Sequence, residues 1–172
     1  MNKTRFLTAL LAAGLCLSAV AEDKGFKLGA EFRKDATLAE IGLPDYPGAV
    51  PQQDKEQDSA ALSMGLWAGA FGVKLHLRKF ASNDSLDSIA GFYLKAMAQH
   101  GKPLDCATAP PAPTRADGKV DDKQLSCRDS DRTAGKRVLK VGANNNNARI
   151  VVLNQAGQAV NFQLLRVQVK GD

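Results

Sequence analysis

Histidine occurs only twice in this chain of 172 residues, as His76 and His100. That scarcity removes most of the residue sets that carry proton transfer or metal catalysis. No Gly-x-Ser-x-Gly, His-Glu-x-x-His or phosphate-cradling glycine loop is present. The Gly135-Lys136 pair lacks both the upstream glycine of a P-loop and the Ser or Thr that would follow it. Cysteine is nearly as scarce, at three. Cys106 and Cys127 have no nearby histidine to complete a zinc set. Asp117-Gly118 and Asp121-Asp122 miss the EF-hand spacing and read as a solvated turn. Beyond the first twenty residues no apolar run approaches membrane-spanning length, and no internal repeat recurs. The expectation is a chain with no cofactor, no metal and no transmembrane segment once mature.

What is present begins with an address. Lys3 and Arg5 precede an uncharged apolar run from Phe6 to Val20, and Ala19-Val20-Ala21 fits the small-x-small rule of signal peptidase. Residues 1–21 therefore read as a secretory signal peptide cleaved after Ala21, and the protein as periplasmic or secreted. Cys16 lies in that leader behind Leu15, where a lipoprotein would carry a small residue. The net charge of +5 loses Lys3 and Arg5 with the leader. The remaining charge is mild, compatible with anionic partners and no argument for nucleic acid. Two cysteines in an oxidising compartment predict a Cys106–Cys127 disulfide.

Along the chain, residues 22–36 are charged and mixed, and loosely held in this reading. Thr37-Leu-Ala-Glu40 has capping-box spacing and Gly42 follows Ile41, which predicts one short helical turn with a glycine stop. Pro44 and Pro47 impose extended backbone, and Pro47-Gly48 favours a turn. Ala61 to Phe71 reads as a strand with a loose end. Val73, Leu75 and Leu77 alternate with Lys74, His76 and Arg78, the period of a strand with one buried and one wet face.

Asp84 can cap a helix to His100, with Leu86, Ile89, Ala90, Tyr93, Leu94 and Met97 as its apolar stripe and a left-handed cap at Gly101. Strand candidates follow at 104–108, 124–128, 137–141, 149–154 and 160–169. The first two hold the cysteines and flank a proline-rich loop. Turns fall at 144–147 and at Ala156-Gly157. In the last strand the apolar phase moves from Val160-Phe162-Leu164 to Leu165-Val167-Val169, which a bulge near Leu164 would explain.

The fold class expected is α+β. One main amphipathic helix packs on an antiparallel sheet of about five to seven strands, with a short N-terminal helical turn. Residues 22–56 form an extended segment carrying that turn, and residues 57–172 form the α+β domain.

Two stretches carry a resemblance. Ile41-Gly-Leu-Pro-Asp-Tyr-Pro-Gly-Ala49, and Phe92-Tyr93 before Gly101 in an acid-capped helix, resemble marks shared by a loose group of uncharacterised exported bacterial proteins. The resemblance spans roughly residues 41 to 106. It implies an α+β fold and an envelope location, and it brings no activity and no catalytic residue.

Few residues then remain as functional candidates. His100 suits a helix C-terminus, Tyr93 a core position, and Tyr46 either a surface anchor or, as favoured here, a pin between its segment and the sheet. Lys74, His76 and Arg78 are the one constellation with binding chemistry: side chains in a row on one strand face, suited to a phosphate or carboxylate, or else serving to keep that face soluble. The function expected is a non-catalytic envelope binding or interaction module, its partner an anionic envelope component or an envelope protein. The alternative is a small periplasmic hydrolase or transferase, which a cluster of His76 with acids in a deep pocket would favour.

Overall fold

The computed structural model describes residues 28–53, 59–112 and 124–171. The leader with Cys16, the Asp117-Gly118 turn and Asp121-Asp122 lie outside the described residues. The elements are β1 (Leu28–Arg33), α1 (Leu38–Ile41), β2 (Val50–Pro51), β3 (Ala61–Ala68), β4 (Phe71–Ser82), α2 (Leu86–Met97), β5 (Leu104–Asp105), β6 (Lys136–Asn144), β7 (Asn147–Ala156) and β8 (Ala159–Lys170). A 3-10 turn extends α2 to His100, and another spans Asp129–Arg132.

Among the described residues the strands form one antiparallel sheet of eight, in the order β1-β3-β4-β8-β7-β6-β5, with β2 also paired to β4. The class is α+β, but eight strands exceed the expected five to seven. The mixed segment expected to be loose supplies β1, paired with β3 from Leu28↔Ala68 to Arg33↔Ser63. It is an edge strand with a single neighbour, so charge is tolerated there and the alternation that marks central strands is blunted.

Local chemistry explains the two helices. In α1 the Thr37 side chain accepts from the Glu40 amide while the Glu40 carboxylate accepts from the Thr37 amide, and Gly42 closes the turn at φ +73°, where a side chain would be strained. In α2 the N-cap is Ser85, whose hydroxyl accepts from the Ser88 amide, rather than Asp84. Asp84 instead accepts the Tyr46 hydroxyl at 2.7 Å, which pins the proline segment onto the helix start. Gly101 follows with φ +129° and an extended ψ, not the left-handed cap expected.

The two faces of the sheet carry different cores. Ile89, Ala90, Tyr93 and Met97 of α2 pack with Ile41, Leu43 and Tyr46 onto Phe80, Phe162, Leu164, Val151, Leu153, Leu139 and Val141. The Tyr46 and Tyr93 rings both lie within 6.4 Å of neighbouring aromatics there, and Phe80 stacks on Phe162 at 5.4 Å. On the far face Cys106, Cys127 and Val138 form a second buried cluster with Leu104, Ala109, Ile150 and Val152. The disulfide joins Cys106 to Cys127 with 5.4 Å between Cα atoms. Neither cysteine lies within a strand, contrary to expectation: β5 ends at Asp105 and residues 125–128 are irregular, while the Cys106 amide bonds Val138 of β6.

β8 runs in unbroken register against both β4 and β7, so no bulge lies at Leu164; the one register shift in these ladders falls at Gly142/Asn144 of β6. The phase change has a different cause. Val160, Phe162 and Leu164 face α2, while Leu165, Val167 and Val169 face the other way, and β4 changes in step, from Val73, Leu75 and Leu77 to Phe80. The twelve residues of α2 are about 18 Å long. The twelve of β4 extend about 40 Å. The helix therefore covers only one end of the sheet, and the apolar side chains change faces where its cover stops.

Candidate binding surface at the uncovered end of the sheet

Lys74, His76 and Arg78 do share one face, but it is the face that carries α2, and the three differ in environment. Lys74 is exposed. Arg78 is half-buried with its guanidinium 5.0 Å from the centre of the Phe80 ring, a cation–π contact. His76 is only 8 % exposed. The alternating Val73, Leu75 and Leu77 are half-buried on the far face and belong to neither core cluster.

His76 sits in a polar cluster built by β1, α1 and β3. Its Nδ1 lies 2.9 Å from Ser63 Oγ and 4.0 Å from a Glu40 carboxylate oxygen. Arg33 donates to both Glu40 and Ser63, and also to Glu31 and Asp35. The Thr37 amide and the Arg33 guanidinium hold the Glu40 carboxyl down at about 2. Burial lowers the His76 pKa, opposed by Glu40 and Glu31 and reinforced by Arg33 and Lys74. Serine, histidine and glutamate invite comparison with a nucleophilic relay, but a relay uses one ring nitrogen for the nucleophile and the other for the orienting acid. Here both Ser63 and Glu40 approach Nδ1, and Ser63 is buried and bonded to Arg33. This geometry ties β1 and α1 to the sheet.

Strand pairing brings further cations to the same face. Ser63, His76, Arg166 and Arg149 fall in one transverse row across β3, β4, β8 and β7. Arg149 donates to the Ile41 carbonyl at 3.0 Å and Arg166 to the Asn147 side-chain oxygen at 3.0 Å; neither meets a carboxylate among the described residues. Burial lowers the pKa of both, and Arg149 depresses Arg166 further. Lys170 pairs opposite Gly72, two residues from Lys74. Sequence reasoning found Lys74 and Arg78 but not Arg149, Arg166 or Lys170, because only the β4-β8-β7 ladder makes them neighbours.

Sequence reasoning also missed the β3–β4 hairpin tip. From Gly65 to Val73 the only side-chain hydrogen-bonding group is the Trp67 indole. Leu28, Phe32, Leu66, Trp67 and Phe71 are 40–77 % exposed at this corner of the sheet. The Trp67 ring lies over Gly29 so closely that a Cβ there would meet it at 2.2 Å. Two clefts flank the tip. One of about 540 Å³ is apolar, between Leu28, Ala30, Leu66, Trp67 and Phe71. The other, of about 680 Å³, runs from Trp67 and Phe71 to Lys74, Gln168 and Lys170, with Glu31 as its one acid among the described residues. The available signal was a turn whose flanks lack the polar residues that hairpin loops favour.

The remaining candidates have structural partners. The His100 Nε2 lies 2.6 Å from the Gly42 carbonyl, joining the end of α2 to α1. Tyr93 is fully buried and donates to the Pro44 carbonyl, and burial raises its pKa. Cys106, Cys127 and Asp131 gather within 4.8 Å, as a metal site would require. Both sulfurs are committed to the disulfide, and the Asp131 carboxylate pairs with Lys140 Nζ at 2.7 Å. No helix among the described residues is long and apolar enough to cross a membrane. No family model, no curated protein and no solved structure matches this chain.

Proposed function

We propose that this protein is a non-catalytic exported module that binds an anionic, partly apolar component of the bacterial envelope at the β3–β4 end of its sheet. The observation that carries this reading is the adjacency of two unlike surfaces. At this end of the sheet Leu28, Leu66 and Phe71 expose apolar side chains on the far face and Trp67 exposes its ring on the α2 face, from which a cationic strip of Lys74, Lys170, Arg166 and Arg149 runs back along the α2 face. An apolar body beside a cationic strip is what an amphiphile with a negative head requires. The leader read at residues 1–21 and the disulfide support an oxidising, extracytoplasmic setting. Lys74 supplies exposed charge, Arg78 a cation held near the strip, and His76 the support beneath them.

Dodecyl phosphate, used below its micellar concentration, tests the reading. Calorimetry should show saturable binding, weakened about tenfold or more when Lys74→Gln and Lys170→Gln remove two of the charges. No binding, or equal binding by that double variant, would overturn it.

A further inference from the structure

We infer that the β3–β4 hairpin tip is a membrane-docking element, seating in the interfacial layer of an anionic phospholipid bilayer. This rests on the function proposed above and names the physical form of the partner. The argument starts from the anomaly of the tip. A hairpin loop ordinarily presents Gly, Asn, Asp or Ser to water. Here Leu66-Trp67-Ala68-Gly69-Ala70-Phe71 presents two aromatic rings and a leucine, with no charge. Exposed apolar clusters of this kind mark an interaction surface.

The distribution of chemistry along the hairpin matches the profile of a bilayer surface. The outermost residues are apolar. Trp67, a ring with one polar edge, sits at the depth where indoles favour the headgroup boundary. Lys170 lies level with Gly72, and Lys74 lies two residues further back. At about 3.4 Å per residue, the Lys170 backbone stands about 7 Å behind Ala70 of the turn and the Lys74 backbone about 14 Å behind it, each with a flexible side chain several ångströms long. An apolar element buried about 5–10 Å into the interface would therefore place both lysines among the phosphates, with their alkyl stems along the apolar layer. Glu31 is the one acid lining that cleft among the described residues. The charge complementarity selects an anionic surface over a zwitterionic one. A second copy pairing along edge strand β1 would bury Leu28 and Phe32 but would leave the lysines unmatched.

Trp67 is the only tryptophan in the chain, so its emission reports on the tip alone. The purified protein is mixed with vesicles of phosphatidylcholine, or of phosphatidylcholine with phosphatidylglycerol, at low and high salt. With the anionic vesicles at low salt the emission should shift to the blue and the protein should co-sediment. Leu66→Asn with Phe71→Asn should weaken partitioning about tenfold or more. Lys74→Gln and Lys170→Gln should each weaken it roughly fivefold, and high salt should do the same for the wild type. These side chains are exposed, so an unchanged melting temperature verifies that the variants are folded.

The inference fails if the wild type neither shifts nor sediments with anionic vesicles, if it binds zwitterionic vesicles equally, or if the Leu66/Phe71 variant binds undiminished. A concentration-dependent dimer that loses its Trp67 exposure and ignores vesicles would assign the corner to a second copy instead. Binding of monomeric dodecyl phosphate without binding to vesicles rejects the bilayer alone, while loss of both rejects the proposed function as well.

Discussion

Glu40 shows how one side chain can serve several elements. It closes the capping box of α1 through Thr37 and accepts from Arg33 of β1. Its carboxyl, ordinarily at 4.5, is held at about 2 in the fold. A carboxyl with a depressed folded pKa adds stability that is fully present above its unfolded value and is lost as pH falls through the folded one. The urea midpoint of the wild type should therefore fall between pH 4.5 and about 2 more steeply than that of Glu40→Gln. At neutral pH the variant should be about 1 kcal/mol less stable, after allowance for solvent screening. Parallel curves through that window would show that Glu40 is not paired as described. His76 carries the opposite lesson. With its pKa below 6.5, it stays neutral in the fold when the unfolded chain has begun to take up a proton. Mild acid therefore lowers stability through this residue. Its ring resonances should titrate below 6.5 in the folded protein; a midpoint above that value would place His76 beside an unshielded carboxylate.

At the scale of elements, α2 is the part that its own sequence specifies best. The three-and-four spacing of Ile89, Tyr93 and Met97 needs no partner to be recognised, and all three are fully buried. Ile89→Ala or Met97→Ala should each cost about 2–5 kcal/mol in denaturant unfolding. Gln99→Ala, on the exposed arc, should cost close to nothing. Equal effects at all three positions would mean that another helix face is buried. The capping box of α1, the turns and the long strands were legible for the same reason: their signals are local. β1 was not, because an edge strand with one neighbour need not alternate. Nor was the irregular backbone at Cys127, since a disulfide needs only two sulfurs brought together and says nothing of strand pairing. The phase change in β8 was visible in the sequence, but its cause was not. A bulge and a change of covered face produce the same string of residues, and only the matching change in β4 separates them. The candidate binding surface was legible only at Lys74 and Arg78, on one strand; Arg149, Arg166 and Lys170 join them through pairings that no local pattern encodes.

At the scale of the whole molecule, one sheet supports two cores on opposite faces, and they are held by different means. The α2 core is a broad apolar contact with interlocking aromatic rings. The far-face cluster is small, and its cover is a segment without regular strands, fixed by the disulfide and by Lys140. Lys140 is 6 % exposed and donates to the Ser126 carbonyl at 2.9 Å as well as pairing with Asp131. Its ammonium group is tolerable there only while both partners stay in place, because an uncompensated buried charge is strongly destabilising. The disulfide spans 21 positions, and closing a loop of that size contributes roughly 3 kcal/mol. Cys106→Ser should therefore lower global stability by about that amount. Its local signature should be confined to one face. Amide exchange should accelerate at position 106, whose amide bonds Val138, and at Ser126, whose amide bonds the Asn145 side chain, while Ile89 and Tyr93 in α2 keep protection close to the global limit. Uniform acceleration on both faces would mean that the sheet opens as a single unit. Exchange unchanged beneath the cover would mean that the Lys140–Asp131 pair holds the segment without the disulfide. The expected asymmetry follows from the distribution of apolar surface: the α2 face can stand on burial alone, and the far face needs a covalent cross-link to keep its cover in place.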